Sequence, residues 1–136
     1  MKKALRNSIA ATAFLVFAGA IVAQPPDWYA HREERFRGER WRGHMFAEIR
    51  EDLDHVQATA FHRGDQYRIA RAKEELNELQ ADLEAHRYHE AKLDEVIATI
   101  SRAAADRRLD PRDRDLLNDD VQRLRDFRAH HENWMH

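Results

Sequence analysis

Apolar residues at helical spacing, written four times along the chain, constrain this sequence more than any other feature. The clearest copy is Leu109 to Phe127, LDPRDRDLLNDDVQRLRDF. Asp110 is placed to cap a helix, Pro111 suits the first helical position where its missing N–H costs nothing, and Asp113 adds negative charge to the first turn. Behind that start, Leu117, Val121, Leu124 and Phe127 recur by fours and threes with Leu116 beside them, which is one apolar stripe on one helix running from Pro111 to about His131.

Three earlier stripes follow the same rule. Phe46, Ile49, Leu53, Val56 and Ala60 define a helix over about 44–62, with Gly64 just beyond as its stop. Asp65 is then placed to cap a second helix with Ile69, Ala72, Leu76, Leu79 and Leu83 on its stripe. The segment Ala85-His86-Arg87-Tyr88-His89 breaks that stripe, and Leu93, Val96, Ile97 and Ile100 resume it in a third helix, with Ala103 or Ala104 closing the pattern. Each link is only a few residues long, so neighbouring helices must run antiparallel. The expected fold is all-α, an antiparallel up-down four-helix bundle over residues 44–131, with a fraying tail at 132–136. Asp65, Ala72, Leu76 and Leu79 also match Asp110, Leu117, Val121 and Leu124 at an offset of 45, and Ile49, Leu53 and Val56 match Leu93, Ile97 and Ile100 at 44, as a duplicated helical hairpin would.

The bundle is preceded by a different kind of sequence. Lys2, Lys3 and Arg6 stand before an apolar run from about Ile9 to Ala23, which then meets Gln24-Pro25-Pro26. This is the layout of a signal peptide over residues 1–23, cleaved between Ala20 and Ala23, and it implies a periplasmic or secreted protein. An uncleaved anchor is the alternative, but the run is short for a span of about 20 residues. Removing residues 1–23 takes away three positive charges and moves the formal net charge from −2 to −5. A mildly acidic mature chain does not suit nonspecific binding to nucleic acid or anionic lipid, and stable membrane insertion is not expected after cleavage. With no Cys in the sequence, packing has to hold the fold without disulfides.

Residues 24–43, QPPDWYAHREERFRGERWRG, show no sustained stripe and read as a flexible arm. Arg32, Arg35, Arg37, Arg40 and Arg42 interleave with Trp28, Tyr29, Phe36 and Trp41, the look of an anionic-polymer binder. Four acids among them leave only +1, which favours aromatics that pack against the bundle or set its oligomeric state.

Catalytic patterns are missing from the sequence. Ser8 lies in the leader and Ser101 has no turn motif around it, Gly64 stands alone rather than in a phosphate-binding loop, and the acids fall on faces opposite Leu and Ile, as solvated charges do. Asp52 and His55 have the i, i+3 spacing of a carboxylate-bundle ligand pair, yet Leu53 and Val56 claim the inward positions beside them and no second copy exists. Histidines give the one nonrandom hint. His44, His86, His89, His130, His131 and His136 would all collect at one pole of an antiparallel bundle, six of the nine in the chain. Of these, His44, His86, His89, His130 and His131 are the candidate ligands for Zn, Cu or Ni, ions that suit neutral imidazole. A plainer account is that His is tolerated at helix ends, where its cation favours the C-terminal dipole.

Leu109-Asp110-Pro111-Arg112-Asp113-Arg114 resembles the L-T-P-x-Q-R helix start of the Spy/CpxP family of small periplasmic helical proteins, with Asp110 in place of Thr and Asp113 in place of Gln. That resemblance implies an ATP-independent chaperone or envelope-stress accessory that cradles unfolded clients. The longer run Leu109 to Asp120 is similar to an L-x-P-R-D-R-D-x-L-N-D-D pattern in uncharacterised small exported all-helical bacterial proteins, and this brings no function with it.

The expectation is therefore an exported, non-enzymatic helical protein acting through protein contacts, as a chaperone-like or envelope-stress accessory factor, with protein clients or a second copy as partners and no cofactor. The alternative is a metal-binding or pH-responsive module using the histidine pole.

Overall fold

The computed structural model describes residues 28–37 and 40–134, and the side chains at 40 and 132–134 are outside that description. The leader expected over residues 1–23 also lies outside the described residues. Everything described is helix, turn or link, with no strand. The chain divides into two units, Met1–Gly38 and Glu39–His136.

In the first unit, the arm carries a helix that the absence of a stripe did not announce, α1, Trp28–Arg35. Its side chains cluster by cation–π and edge contacts: the Arg32 guanidinium lies 4.7 Å from the Phe36 ring centre, Arg35 5.8 Å from that of Trp28, and Trp28 meets Tyr29 edge-on at 5.2 Å. Arg and aromatic residues at i, i+4 and i, i+7 thus take the place of an aliphatic stripe.

The second unit opens with a 3-10 turn, Arg40–His44, which is fastened by Trp41 under the Arg123 guanidinium at 4.5 Å. Four helices follow: α2 (Met45–Thr59), α3 (Arg63–Glu84), α4 (Glu90–Ala104) and α5 (Pro111–Trp134). Within this unit α2 packs on α3, α3 on α4 and α4 on α5, and α2 also meets α5. The core is the predicted aliphatic set, with Ile49, Leu53, Val56, Ile69, Leu76, Leu79, Leu93, Val96, Ile100, Leu117 and Leu124 at zero exposure. Burying one such side chain contributes about 1.5–3 kcal/mol.

The helix ends differ from expectation in instructive ways. Gly64 does not stop α2; it lies in the first turn of α3, and Asp65 is the third helical residue rather than the cap. The stop comes earlier because Ala60 turns to extended backbone, its N–H still bonded to Val56 O while the Gln66 amide caps its carbonyl at 2.8 Å. Three residues, Ala60 to His62, make the whole link. Asp110 does cap α5 as its sequence position implies, with Oδ1 accepting from the Arg112 N–H at 2.8 Å. α5 runs on to Trp134 across a kink at His130 (φ −133°, ψ 24°).

α3 ends in a Schellman closure: Arg87 N–H reaches Asp82 O at 2.7 Å, His86 N–H reaches Leu83 O at 3.0 Å, and His86 sits between them in the left-handed region at φ 60°. Glycine is the usual residue at that position, so His86 holds it at a cost.

Candidate functional site

The polar side chains inside the helical unit are where the structure departs most from the sequence reading. Asp52, His55, Asp65, Asp82, Thr99, Asp113 and Asp120 are all buried. The acids were expected on outward faces, with Leu53 and Val56 excluding Asp52 and His55 from the interior; both expectations are corrected. The reason is the width of the buried stripe: two positions per turn face inward, and Asp52 and His55 take places beside Leu53 and Val56 rather than opposite them.

On α2 and α5 the cluster closes on itself. His55 Nε2 lies 3.1 Å from Asp113 Oδ1, with the two side chains 4% and 2% exposed. Thr59 donates its hydroxyl to Asp113 Oδ2 at 2.8 Å. An ionised carboxylate only accepts, so this bond places a proton on His55 Nε2. Histidine and aspartate in this relation can orient a general base, but catalysis also needs a nucleophile and an opening to substrate. Here the only hydroxyl in the group points to the aspartate, and the imidazole and carboxylate are themselves buried away from any substrate. The arrangement joins α2 to the start of α5.

A second cluster joins the start of α3 to the α4–α5 link. Asp65 Oδ1 faces Arg68 Nη1 and Arg108 Nη2, each at 3.5 Å. Asp106 takes the closer bonds, from the Arg108 backbone N–H at 2.9 Å, Nε at 3.1 Å and Nη2 at 2.9 Å. Burial, followed by the contact with Asp106, pushes the Asp65 carboxyl above its ordinary pKa. The bond from Arg108 holds Asp106 well below the ordinary carboxylate range.

A third cluster closes the α3–α4 link. Asp82 accepts from Lys92 Nζ at 2.6 Å and Arg87 Nη2 at 3.1 Å, and those bonds, Lys92's first, lower its pKa.

At the same pole, an opening of about 220 Å³ lies between the 3-10 turn, the start of α2, the end of α3 and α5. Met45, Phe46, Leu83 and Phe127 form its apolar wall, with Arg42, Gln80 and Glu84 around it. Phe46 and Phe127 meet edge-on at 5.5 Å, and Tyr88 lies behind at 6.4 Å from Phe127. A larger groove of about 510 Å³ on α3 and α4 is lined by Tyr67, Arg71, Glu74, Glu75, Glu78 and Glu95. Its charges are partly tied up, since Glu75 accepts from Arg71 and Thr99, both at 2.9 Å.

The predicted histidines fall in five different settings. His44 is exposed at the end of the 3-10 turn, and His86 serves the helix closure. His89 stands 3.9 Å from Asp82, His130 lies 3.3 Å from Asp126 at the kink, and His131 stacks on Tyr88 at 3.9 Å between ring centres. Among the described residues, no three of His, Cys, Asp or Glu converge as a metal centre requires. His136 lies outside the described residues.

A signal for the buried acids was present in the sequence. Asp65, Ile69, Ala72, Leu76, Leu79 and Leu83 keep the alternating spacing of four and three, and so do Asp113, Leu117, Asp120, Leu124 and Phe127. Asp52 extends the series Met45, Ile49, Val56 in the same way. Counting positions rather than apolar letters would have put these residues inside.

Compared with known proteins, the chain matches no family model, no curated protein and no solved structure.

Proposed function

We propose that the chain is an exported, non-enzymatic protein acting through protein contacts, a chaperone-like or envelope-stress accessory factor whose body is an antiparallel up-down four-helix bundle of α2 to α5. Support for the bundle comes from the order of cross-helix pairs. Arg50 meets Gln80 while Lys73 meets Asp54; Lys92 meets Asp82 while Thr99 meets Glu75; Phe46 meets Phe127 while His55 meets Asp113. In each pair of helices the numbers rise on one side as they fall on the other.

Export is supported by the leader-like sequence of residues 1–23, and the accessory role by the resemblance of Leu109 to Arg114 to the Spy/CpxP helix start. No helix among the described residues is long and apolar enough to cross a membrane. The observation that carries the reading is the apolar opening beside Phe46, Leu83 and Phe127, whose aliphatic and aromatic wall with a polar border suits a client's apolar side chain. The His55–Asp113, Lys92–Asp82 and Thr99–Glu75 pairs, in contrast, join one helix to another.

Light scattering from an aggregating client tests this proposal. Suppression at stoichiometric protein is the expected result, reduced by Leu83→Glu, which puts a charge on the wall of the opening at a half-buried position. No suppression by the unaltered protein overturns the chaperone role.

A further inference from the structure

We propose that Asp65 and Asp106 hold one proton between them and act as an acid-pair latch that fastens the α4–α5 link to the start of α3. The geometry begins with an imbalance. Asp65 is 1% exposed, and its Oδ2 is buried without a hydrogen-bond donor. Its other oxygen meets two guanidinium nitrogens at 3.5 Å, well beyond the roughly 2.7–2.9 Å of a charge-assisted bond. Asp106 receives three closer donations from Arg108 and a fourth from Arg68 Nη1 at 3.4 Å. Negative charge is therefore well satisfied on Asp106 and poorly on Asp65.

An ionised Oδ2 buried without a donor bears the full desolvation cost. A proton on that carboxyl turns it into a donor, and the carboxylate beside it is Asp106, which lies on the same two nitrogens, Arg68 Nη1 and Arg108 Nη2. Two carboxyl groups crowded onto the same donors can bond to each other only when one of them keeps its proton. The other charged groups facing Asp65 are Arg68 from α3 and Arg108 from the link, while His55 of α2 and Asp113 of α5 are paired with each other.

The sign of the pH dependence follows from the two carboxyls separately. Asp65 has its pKa raised by folding, so its contribution is present at low pH and fades as pH rises through the folded value. Asp106 has its pKa lowered, so its contribution is present above the ordinary carboxylate pKa and fades only as pH falls through the depressed value. The latch therefore holds through acidification that protonates ordinary carboxylates and loosens on the alkaline side of the Asp65 titration. The link it fastens also carries Leu109, which is 4% exposed, into the core.

Carboxyl ¹³C NMR titration of the full chain reads the proton directly. Asp65 should titrate above the ordinary range and Asp106 below it, and Asp106→Asn should move the Asp65 midpoint downward. Asp65→Asn, which keeps a donor toward Asp106, should fold with the unaltered denaturation midpoint at acidic pH and lose the alkaline decline. Ordinary midpoints for both groups, or an Asp65 midpoint indifferent to Asp106→Asn, would overturn the proposal.

Discussion

The two successive helix pairs of the helical unit, α2–α3 and α4–α5, are built to one plan and finished differently. Each begins with a 15-residue helix, and each second helix has a buried aspartate as its third residue, Asp65 in α3 and Asp113 in α5. From those aspartates the seams register at an offset of 48: Asp65, Ile69, Leu76 and Leu79 correspond to Asp113, Leu117, Leu124 and Phe127. The offset of 45 suggested by the apolar letters pairs a third helical residue, Asp65, with a cap, Asp110. The links separate the two helix pairs. Ala60 to His62 turns so tightly that Phe61 is left 95% exposed, whereas the link from Ala105 to Asp110 is long enough to fold Leu109 inward to 4%.

Link length in turn selects the aspartate's partner. The longer link brings Asp106 and Arg108 over Asp65, and the shorter one leaves Asp113 to the helix end itself, His55 and Thr59. The same residue at the same helical position becomes one half of an acid pair in one helix pair and the acceptor of an imidazole in the other. A buried carboxylate is tolerated at a seam position wherever the opposing element supplies donors.

The sharpest way to break this comparison is at Asp113. Asp113→Ala leaves the buried His55 N–H without its acceptor and is expected to cost about 3 kcal/mol in chemical denaturation, the upper end for a buried donor left unpaired. His55→Leu combined with Asp113→Leu should recover much of that loss, because no polar group of the pair is then left buried without a partner. A loss no greater than that of a surface substitution would show that the pair does not join α2 to α5.

Next come the link tips. Leu109→Ala should cost about 2–4 kcal/mol, as core truncations do, while Phe61→Ser stays within about 0.5 kcal/mol. Equal effects would erase the distinction drawn between the links. The α3 closure offers a smaller gain: His86→Gly relieves a left-handed backbone and should raise the denaturation midpoint by about 0.5–1 kcal/mol equivalent, after the entropy cost of glycine.

The finest test concerns charge. Removing the nearer donor to Asp82 with Lys92→Met should move the Asp82 titration upward toward the ordinary carboxylate value, measured by carboxyl NMR. Folding lowers the Asp82 pKa, so its stabilising contribution exists above the ordinary value and disappears as pH falls through the folded one. In the variant that loss should begin at higher pH.

Much of the fold is legible in single residues of the sequence. Pro111 behind Asp110 marks the start of α5, and the aliphatic stripes name nearly the whole core, because solvent exclusion acts on a side chain wherever the backbone turns it inward. Phe46 and Leu83, read as stripe members, are half-buried at the pole opening, since a stripe loses its cover where a helix meets the end of its neighbours. Less of the candidate site is legible. The five candidate histidines share an end of the helices, yet helix rotation and the turn at His86 send their rings to different partners.

Local sequence thus determined the four helices α2 to α5, the cap at Asp110 and the apolar letters of the seams, all of which depend on neighbours within a turn or two. The packed unit alone decided which donors meet Asp65 and Asp113 inside and that Phe61 belongs outside. The physical reason is that the price of burying a carboxylate depends on donors from elements tens of residues away, such as Arg108 for Asp65 and His55 for Asp113.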